Sequence, residues 1–291
     1  MKSVLADVNF SDKIGLKGIS TKVCAHQVFD HLTWNGCGDK ESWTIAEWAS
    51  RYLMKDGREE KPLEGGGLCF SNAGKSVCLY PGQGKISLAC DTAAEYDHAR
   101  ASGEDWIHLL IEQRIDGKDR VYLSEMKELF LTLDFSIDYC ENCMKAEEYN
   151  PMLHAAQISW FFTVEFNRGR KFDFEGRPDY LWFGLPLFDS RYSVMAPPQP
   201  FFDKGTEKVI YSLKRGDYLQ EPFEIGKKYC ISLDILPGIR EAFRLAKEQD
   251  WLKGAGWEDM TIGSTNLGWE VPGTFRCKAT FENLSLTYTQ K

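Results

Sequence analysis

Apolar and polar residues alternate with a period of two over Ile158–Phe166. Trp160, Phe162, Val164 and Phe166 fall on one side, and Ser159, Phe161, Thr163 and Glu165 on the other. The period and the aromatic and β-branched content predict a strand. Both sides are partly apolar, which suits a central strand covered on two faces. A polar turn at 167–170 and a charged stretch at 171–179 follow. Residues 181–188 then form a second apolar strand, with Gly184 and Pro186 inside it. Proline donates nothing to a ladder, so Pro186 marks an edge, a bulge or a bend. Glu165, ending one strand, and Asp189, following the other, are the first places to look for chemistry.

The same period recurs along the chain. It predicts strands at 68–71, 76–80, 85–91, 105–115, 129–139, 158–166, 180–188, 208–214, 228–236 and 274–289, with short strands around Lys22–Val28. Clusters such as Ser71–Gly74 and Pro81–Gly84 separate the early strands as turns. A helical period occurs twice. Thr44 and Glu47 have capping-box spacing, Ile45, Trp48, Ala49, Tyr52 and Leu53 form a stripe, and Gly57 is a stop, so 44–56 is expected to be a helix. Pro237 starts a second helix at 238–250, with Ile239, Ala242, Phe243 and Ala246 on one side. Residues 251–273, rich in Gly and Trp, are expected to be a long loop, a kind of segment that often carries function. Many strands and few helices argue for an all-β antiparallel sandwich, a jelly roll with two peripheral helices. No repeat, low-complexity tract or linker divides the chain. It is expected to be one domain over 1–291, with 1–67 an N-terminal segment whose helix packs on the sandwich.

The faces of these strands carry the candidate chemistry. In 105–115, Ile107, Leu109, Ile111 and Ile115 share a core face, and Trp106, His108, Leu110, Glu112 and Arg114 share the other. In 129–139, Leu129, Leu131, Leu133, Phe135, Ile137 and Tyr139 face inward, and Phe130, Thr132, Asp134, Ser136 and Asp138 outward. In 228–236, Tyr229, Ile231, Leu233 and Ile235 face inward, with Ser232 and Asp234 outward. Polar faces on one sheet would gather His108, Glu112, Asp134, Glu165 and Asp234, although register is not written in the sequence. Two facing carboxylates are what glycoside hydrolysis needs, one as acid and one as nucleophile or base. Glu112 and Glu165, with Asp134 and His108 beside them, are therefore the catalytic candidates. Sugar rings also present an apolar C–H face that stacks on aromatic plates. Trp106, Trp182, Trp257 and Trp269, with Arg114 and Glu270, are the candidate substrate-binding residues.

Charge and cysteine content narrow the classes. A net charge of −8 argues against electrostatic nucleic-acid binding. No apolar run is long enough to span a membrane, and the N-terminal apolar run is too short for a signal peptide. The nine Cys are odd in number and scattered, which suits reduced, mostly buried thiols in the cytosol with no required disulfide. Cys140 and Cys143 form one C-x-x-C, but no second pair completes a zinc site. The triplet Gly65–Gly67 lacks phosphate-loop spacing, and neither G-x-S-x-G nor H-E-x-x-H occurs. No cofactor is expected. A structural calcium ion held by loop carboxylates and carbonyls is compatible with such a fold.

The serial strands, the aromatic-rich polar faces and the closing stretch F-R-C-K-A-T-F-E-N-L-S-L-T-Y-T resemble the concanavalin A-like lectin/glucanase superfamily over roughly 68–291. The resemblance implies a carbohydrate-active jelly roll with an oligosaccharide or glycoside as partner. The compact nucleophile motif E-x-D-x-x-E is absent, so it assigns no catalytic residue. The leading expectation is a glycoside hydrolase. The alternatives are a non-catalytic glycan-binding protein and an interaction domain with no sugar ligand. Oligomeric state is not legible.

Overall fold

The computed structural model describes residues 1–18, 27–115, 120–166, 180–192, 208–252 and 254–291, and the backbone of 201–203. Two sheets face each other. The first runs β15 (Lys228–Asp234), β10 (Met126–Asn142), β17 (Phe275–Gln290), β8 (Lys85–Asp91), β7 (Lys75–Tyr80), β6 (Gly67–Ser71), β5 (Glu59–Leu63), with β1 (Lys2–Ser3) also on β17. The second runs β13 (Phe201–Asp203), β14 (Lys208–Ser212), β12 (Tyr180–Asp189), β11 (Gln157–Phe166), β16 (Met260–Val271), β9 (Ile107–Arg114), β4 (Gly38–Ala46), β2 (Asp12–Lys17), β3 (Asp30–Leu32). The described pairs are antiparallel except β12 with β14 and β2 with β4, which are parallel. The architecture is the expected β-sandwich.

Alternation explains the core. Leu131, Leu133 and Phe135 of β10, Phe281 and Leu286 of β17, and Leu88 of β8 meet Ile111, Trp160, Phe162, Val164, Leu181, Phe183 and Trp269 of the other sheet, all essentially without exposed surface. The two central indoles find acceptors: Trp269 Nε1 donates to Leu88 O across the sandwich at 3.0 Å, and Trp160 Nε1 to Thr265 Oγ1 at 2.7 Å. Gln113, on the core side of β9, holds Ala6 by two hydrogen bonds and seats the N-terminal segment.

Several expectations need correction. Residues 44–56 are not a helix: β4 occupies Gly38–Ala46, and Thr44, Ile45 and Ala46 pair with Glu112, Ile111 and Leu110. The helical spacing there is a coincidence of apolar positions that sheet pairing overrides, and Ala49 at φ 60° breaks the chain into turns. Among the described residues the two α-helices are α1, one turn at Thr92–Glu95, and α2 at Leu236–Glu248, close to the expected 238–250. Within 1–67 the described segments form β1 to β5 rather than a helix laid on the sandwich. The expected loop 251–273 is mostly the central strand β16. Tyr139 does not face inward: register shifts between Ile137 and Tyr139, and the ring is exposed. Of the strands expected around Lys22–Val28, residues 22–26 lie outside the described residues, as do the turn at 167–170 and the stretch 171–179.

The thiol expectation fails at one pair. Cys69 and Cys78 sit opposite each other on β6 and β7 and form a disulfide. Cys37, Cys90, Cys140, Cys143, Cys230 and Cys277 are free, but only Cys90 and Cys277 are buried, and Cys143 and Cys230 are exposed. Burial pushes the Cys140 thiol up to about 12, the reverse of an activated cysteine.

An ion cluster ties the sheets together at the end of β4. Lys75, Glu47 and Glu95 have wholly buried side chains, with Lys75 Nζ 3.5 Å from Glu47 and 3.3 Å from Glu95. Lys75 also donates to Ser50 Oγ and Tyr52 O. Glu95 accepts from Ser50 Oγ and Arg51 N, and Glu47 accepts from Met54 N. Burial raises the Glu47 carboxyl to about 6 against the opposing pull of Lys75.

Candidate functional site

The outer face of the second sheet gathers most of the residues expected to act. Register sets them in rows. Trp182, Thr163, Ser264 and Arg114 cross β12, β11, β16 and β9 in one row. Gly184, Phe161, Asn266, Glu112 and Thr44 form the next row, reaching β4. Asp189, Gln157, Glu270 and His108 form a third row farther along. The β11 alternation read from the sequence therefore holds.

An aromatic ledge lies over β11 and β12. The Phe161 ring covers Gly184 so closely that a Cβ there would sit 2.3 Å from a ring carbon, so only glycine fits. Trp182 meets Phe161 edge-on with centroids 6.0 Å apart, and Tyr180 meets Trp182 at 5.6 Å and 86°. Beside the ledge the Thr163 and Ser264 hydroxyls are bonded to each other at 2.8 Å, and the half-buried Asn266 amide adjoins them.

Glu165, Glu112 and Asp189 of this face are already engaged. Glu165 is buried; it accepts from Arg114 Nη1 at 3.1 Å and lies 2.9 Å from Arg120 Nη2. It lies flat over Gly263, where a Cβ would stand 1.8 Å from its carboxyl carbon. Glu112 is paired with Lys17 of β2 at 2.5 Å. Asp189 is held by Arg191 Nε and Nη2 and by Gln157 Nε2, and those hydrogen bonds hold the Arg191 guanidinium above its usual range. Glu270 faces His108 Nε2 at 3.6 Å. The other ring nitrogen, Nδ1, lies 3.0 Å from the Trp106 carbonyl, so it carries the proton and donates.

Glu112 and Glu165 share the face but do not converge. β16 runs between their strands, and Glu165 lies four residues along β11 from Phe161, which is in line with Glu112. At about 3.3 Å per residue and 4.8 Å per strand, their Cα atoms stand roughly 16 Å apart. Their carboxyls also turn opposite ways, one toward Lys17 and one over Gly263. Paired glycosidase carboxyls stand about 5 to 9.5 Å apart.

The remaining candidates scatter. Asp134 and Asp234 lie on β10 and β15, in the other sheet, so neither joins Glu112 and Glu165 in one cleft. Asp134 pairs there with Lys228 and Asn283, and Asp234 accepts from Leu129 N and Leu236 N. Trp269 is core, fully buried, because its segment is a strand and not a loop. Trp257 packs against Phe243, with Arg240 4.6 Å over its ring. Trp106 has His108 stacked at 5.5 Å and the Arg100 guanidinium at 4.7 Å, so it offers no open plate. Trp182 alone of the four tryptophans stands beside the ledge. Sequence reasoning put Phe161 on this face without choosing it, and it missed Asn266, Ser264 and Lys17. Their signal was the period of two in 260–271 and 12–17, hidden by Gly263 and Gly268 in the first case and by shortness in the second. Among the described residues no group of three or more His, Cys, Asp or Glu is placed to hold a metal ion.

No protein-family model matches the chain. No curated protein matches it either. Solved structures of similar outline include a family 12 xyloglucanase from Bacillus licheniformis, 11% identical, covering 84% of this chain and 100% of its own, with a TM-score of 0.47. A cellulase derived from that of Rhodothermus marinus is 9% identical and covers 85% of this chain and 100% of its own, with a TM-score of 0.46. A family 11 xylanase from Neocallimastix patriciarum is 10% identical and covers 80% and 97%, with a TM-score of 0.38. Identities and scores this low transfer neither activity nor residue roles.

Proposed function

We propose that the outer face of the second sheet binds a glycan and does not cleave it. The observation that carries this reading is the commitment of Glu165, Glu112 and Asp189 on that face, each to its own partner. Glu165 is tied to arginines, Glu112 to Lys17, Asp189 to Arg191, and Glu270 faces His108. A hydrolase needs one carboxyl held protonated and a second one free to attack or to activate water. Asp189 and Glu270 share a row, but Asp189 Oδ1 accepts from Arg191 N and Nε and Oδ2 from Gln157 Nε2 and Arg191 Nη2, so it has no lone pair to spare for a water.

What remains on the face suits a neutral sugar chain. The Phe161 and Trp182 rings supply apolar surface for a pyranose C–H face, and the half-buried Asn266 and Ser264 supply donors and acceptors for hydroxyls. Affinity electrophoresis in gels containing soluble xyloglucan, mixed-linkage glucan or xylan tests the reading. Retardation is expected in at least one gel. Loss of one aromatic contact is worth about 0.5–1.5 kcal/mol, so Phe161→Ala and Trp182→Ala should each weaken binding roughly two- to tenfold. Retardation unchanged in both folded variants would remove the ledge from the binding site.

A further inference from the structure

The cluster of Lys75, Glu47 and Glu95 places a wholly buried amine against two wholly buried carboxyls. The three come from separate segments: β7, the residue after β4, and the end of α1. The two oxygens of Glu95 have different surroundings. Oε2 accepts Arg51 N at 2.6 Å, Tyr52 N at 3.3 Å and Ser50 Oγ at 2.8 Å. Two backbone N–H groups and a hydroxyl on one oxygen are the donor set that steadies negative charge developing there. Oε1 faces Lys75 Nζ at 3.3 Å, with Ser50 Oγ at 3.1 Å. The carboxyl is packed over Gly74, where a Cβ would stand 2.3 Å from Oε1, and so it is kept against the amine of the next residue. Glu47 Oε2 lies 3.5 Å from the same amine, and Glu47 Oε1 is buried with no hydrogen-bond partner among the described residues. An oxygen buried in that way is costly, and its lone pairs are free to take a proton. The rise of the Glu47 carboxyl to about 6 suits it to carry one near neutral pH.

We propose that Lys75 and Glu95 join in an intramolecular amide, with Glu47 as the proton carrier. Lys75 Nζ passes a proton to Glu47, and the neutral amine attacks the Glu95 carboxyl carbon. Negative charge builds on Oε2, within its three donors. Oε1 leaves as water, taking back the proton from Glu47 and a second one from the attacking nitrogen. One C–N bond replaces one C–O bond, the ammonium and carboxylate charges vanish together, and no oxidant or other reactant enters. Two features of the cluster drive the step. Amine and carboxyl are held in contact, which can equal about 10⁵–10⁸ M of reactant. Burial also penalises the two ions but not the neutral amide. Glu47 remains a free carboxyl in the product.

Mass spectrometry of the whole folded chain, reduced before measurement, tests the proposal. A mass about 18 Da below that of the sequence, one water, is expected. After reduction and trypsin, Lys75 should stay uncut, and fragment spectra should join residues 59–85 to 86–100 through Glu95. Lys75→Met and Glu95→Ala should each show the full mass of their sequence. Glu47→Gln keeps the shape but cannot carry the proton, and should convert at least about tenfold more slowly. The peptide map of the unaltered chain needs no variant, so a variant that fails to fold leaves the test intact. Full sequence mass with Lys75 cleaved, in protein that stays folded through prolonged incubation, would overturn the proposal. So would the same mass loss persisting in Lys75→Met, because the water would then come from elsewhere. Unslowed conversion in Glu47→Gln would overturn the role given to Glu47.

Discussion

Lys75→Met should cost this protein stability in a pH-dependent way. The side chain is wholly buried between Glu47 and Glu95, and it bridges β7 of one sheet to the turns that follow β4 of the other. Removing it leaves two buried carboxylates whose remaining partners are backbone N–H groups and Ser50. Breaking a buried pair from one side costs about 3–5 kcal/mol. The sign of the pH effect follows from Glu47, whose carboxyl burial raises from 4.5 to about 6 in the folded protein. The folded state then binds more protons than the unfolded state between those values. Stability contributed by protonated Glu47 is fully present below about 4.5 and is lost as pH rises through about 6, a span worth roughly 2 kcal/mol. Without Lys75 the carboxyl rises further, so the defect should be largest near pH 7.5 and smaller by at least about 1 kcal/mol near pH 5. Urea unfolding followed by tryptophan fluorescence at both pH values measures it. A loss below about 1 kcal/mol near pH 7.5, or a loss equal at both, would refute the reasoning.

Other expectations follow from single residues. Gly263→Ala would put a Cβ 1.8 Å from the Glu165 carboxyl carbon. Forcing that buried, arginine-paired group aside should lower urea-unfolding stability by at least about 2 kcal/mol, and a near-neutral result would deny the packing. The Cys69–Cys78 bridge closes a loop of sequence separation 9, so Cys69→Ala/Cys78→Ala should lose about 2–3 kcal/mol, with unchanged midpoints as the contrary result. Glu112→Gln leaves the half-buried Lys17 ammonium without its partner and should lower stability by about 1–3 kcal/mol while leaving glycan retardation intact. Lost retardation in a folded variant would instead make Glu112 a sugar contact.

Much of the fold was legible because strands broadcast their period. β8, β11 and β17 lie within a residue or two of their expected bounds, since each pairs β-branched or aromatic core residues with polar outward ones. The failures have physical causes. Ile45, Trp48, Ala49 and Tyr52 mimic a helical stripe, yet pairing of β4 with β9 decides the conformation of its first residues. Gly263 and Gly268 made β16 look like a loop, whereas both are strand positions where other atoms come too close for any Cβ. That error also made Trp269 a surface plate when it is core. The site was half legible. The outward face of β9 and β11 named Glu112, Glu165, Arg114 and His108, but strand order, which interposes β16, was needed to see that the two glutamates stand apart. Their cations, Lys17 and Arg120, come from segments distant in sequence, and no local pattern announces them.

The central claim is that this face binds glycan without breaking it. The most direct measurement follows one sample of the protein with one polysaccharide by two readouts, calorimetric binding and release of new reducing ends over prolonged incubation. Saturable binding that is weakened in Phe161→Ala, with reducing ends no higher than in a protein-free control, is the predicted result. Reducing ends that accumulate in proportion to protein concentration and vanish in Glu112→Gln or Glu165→Gln would contradict it and restore paired-carboxylate hydrolysis.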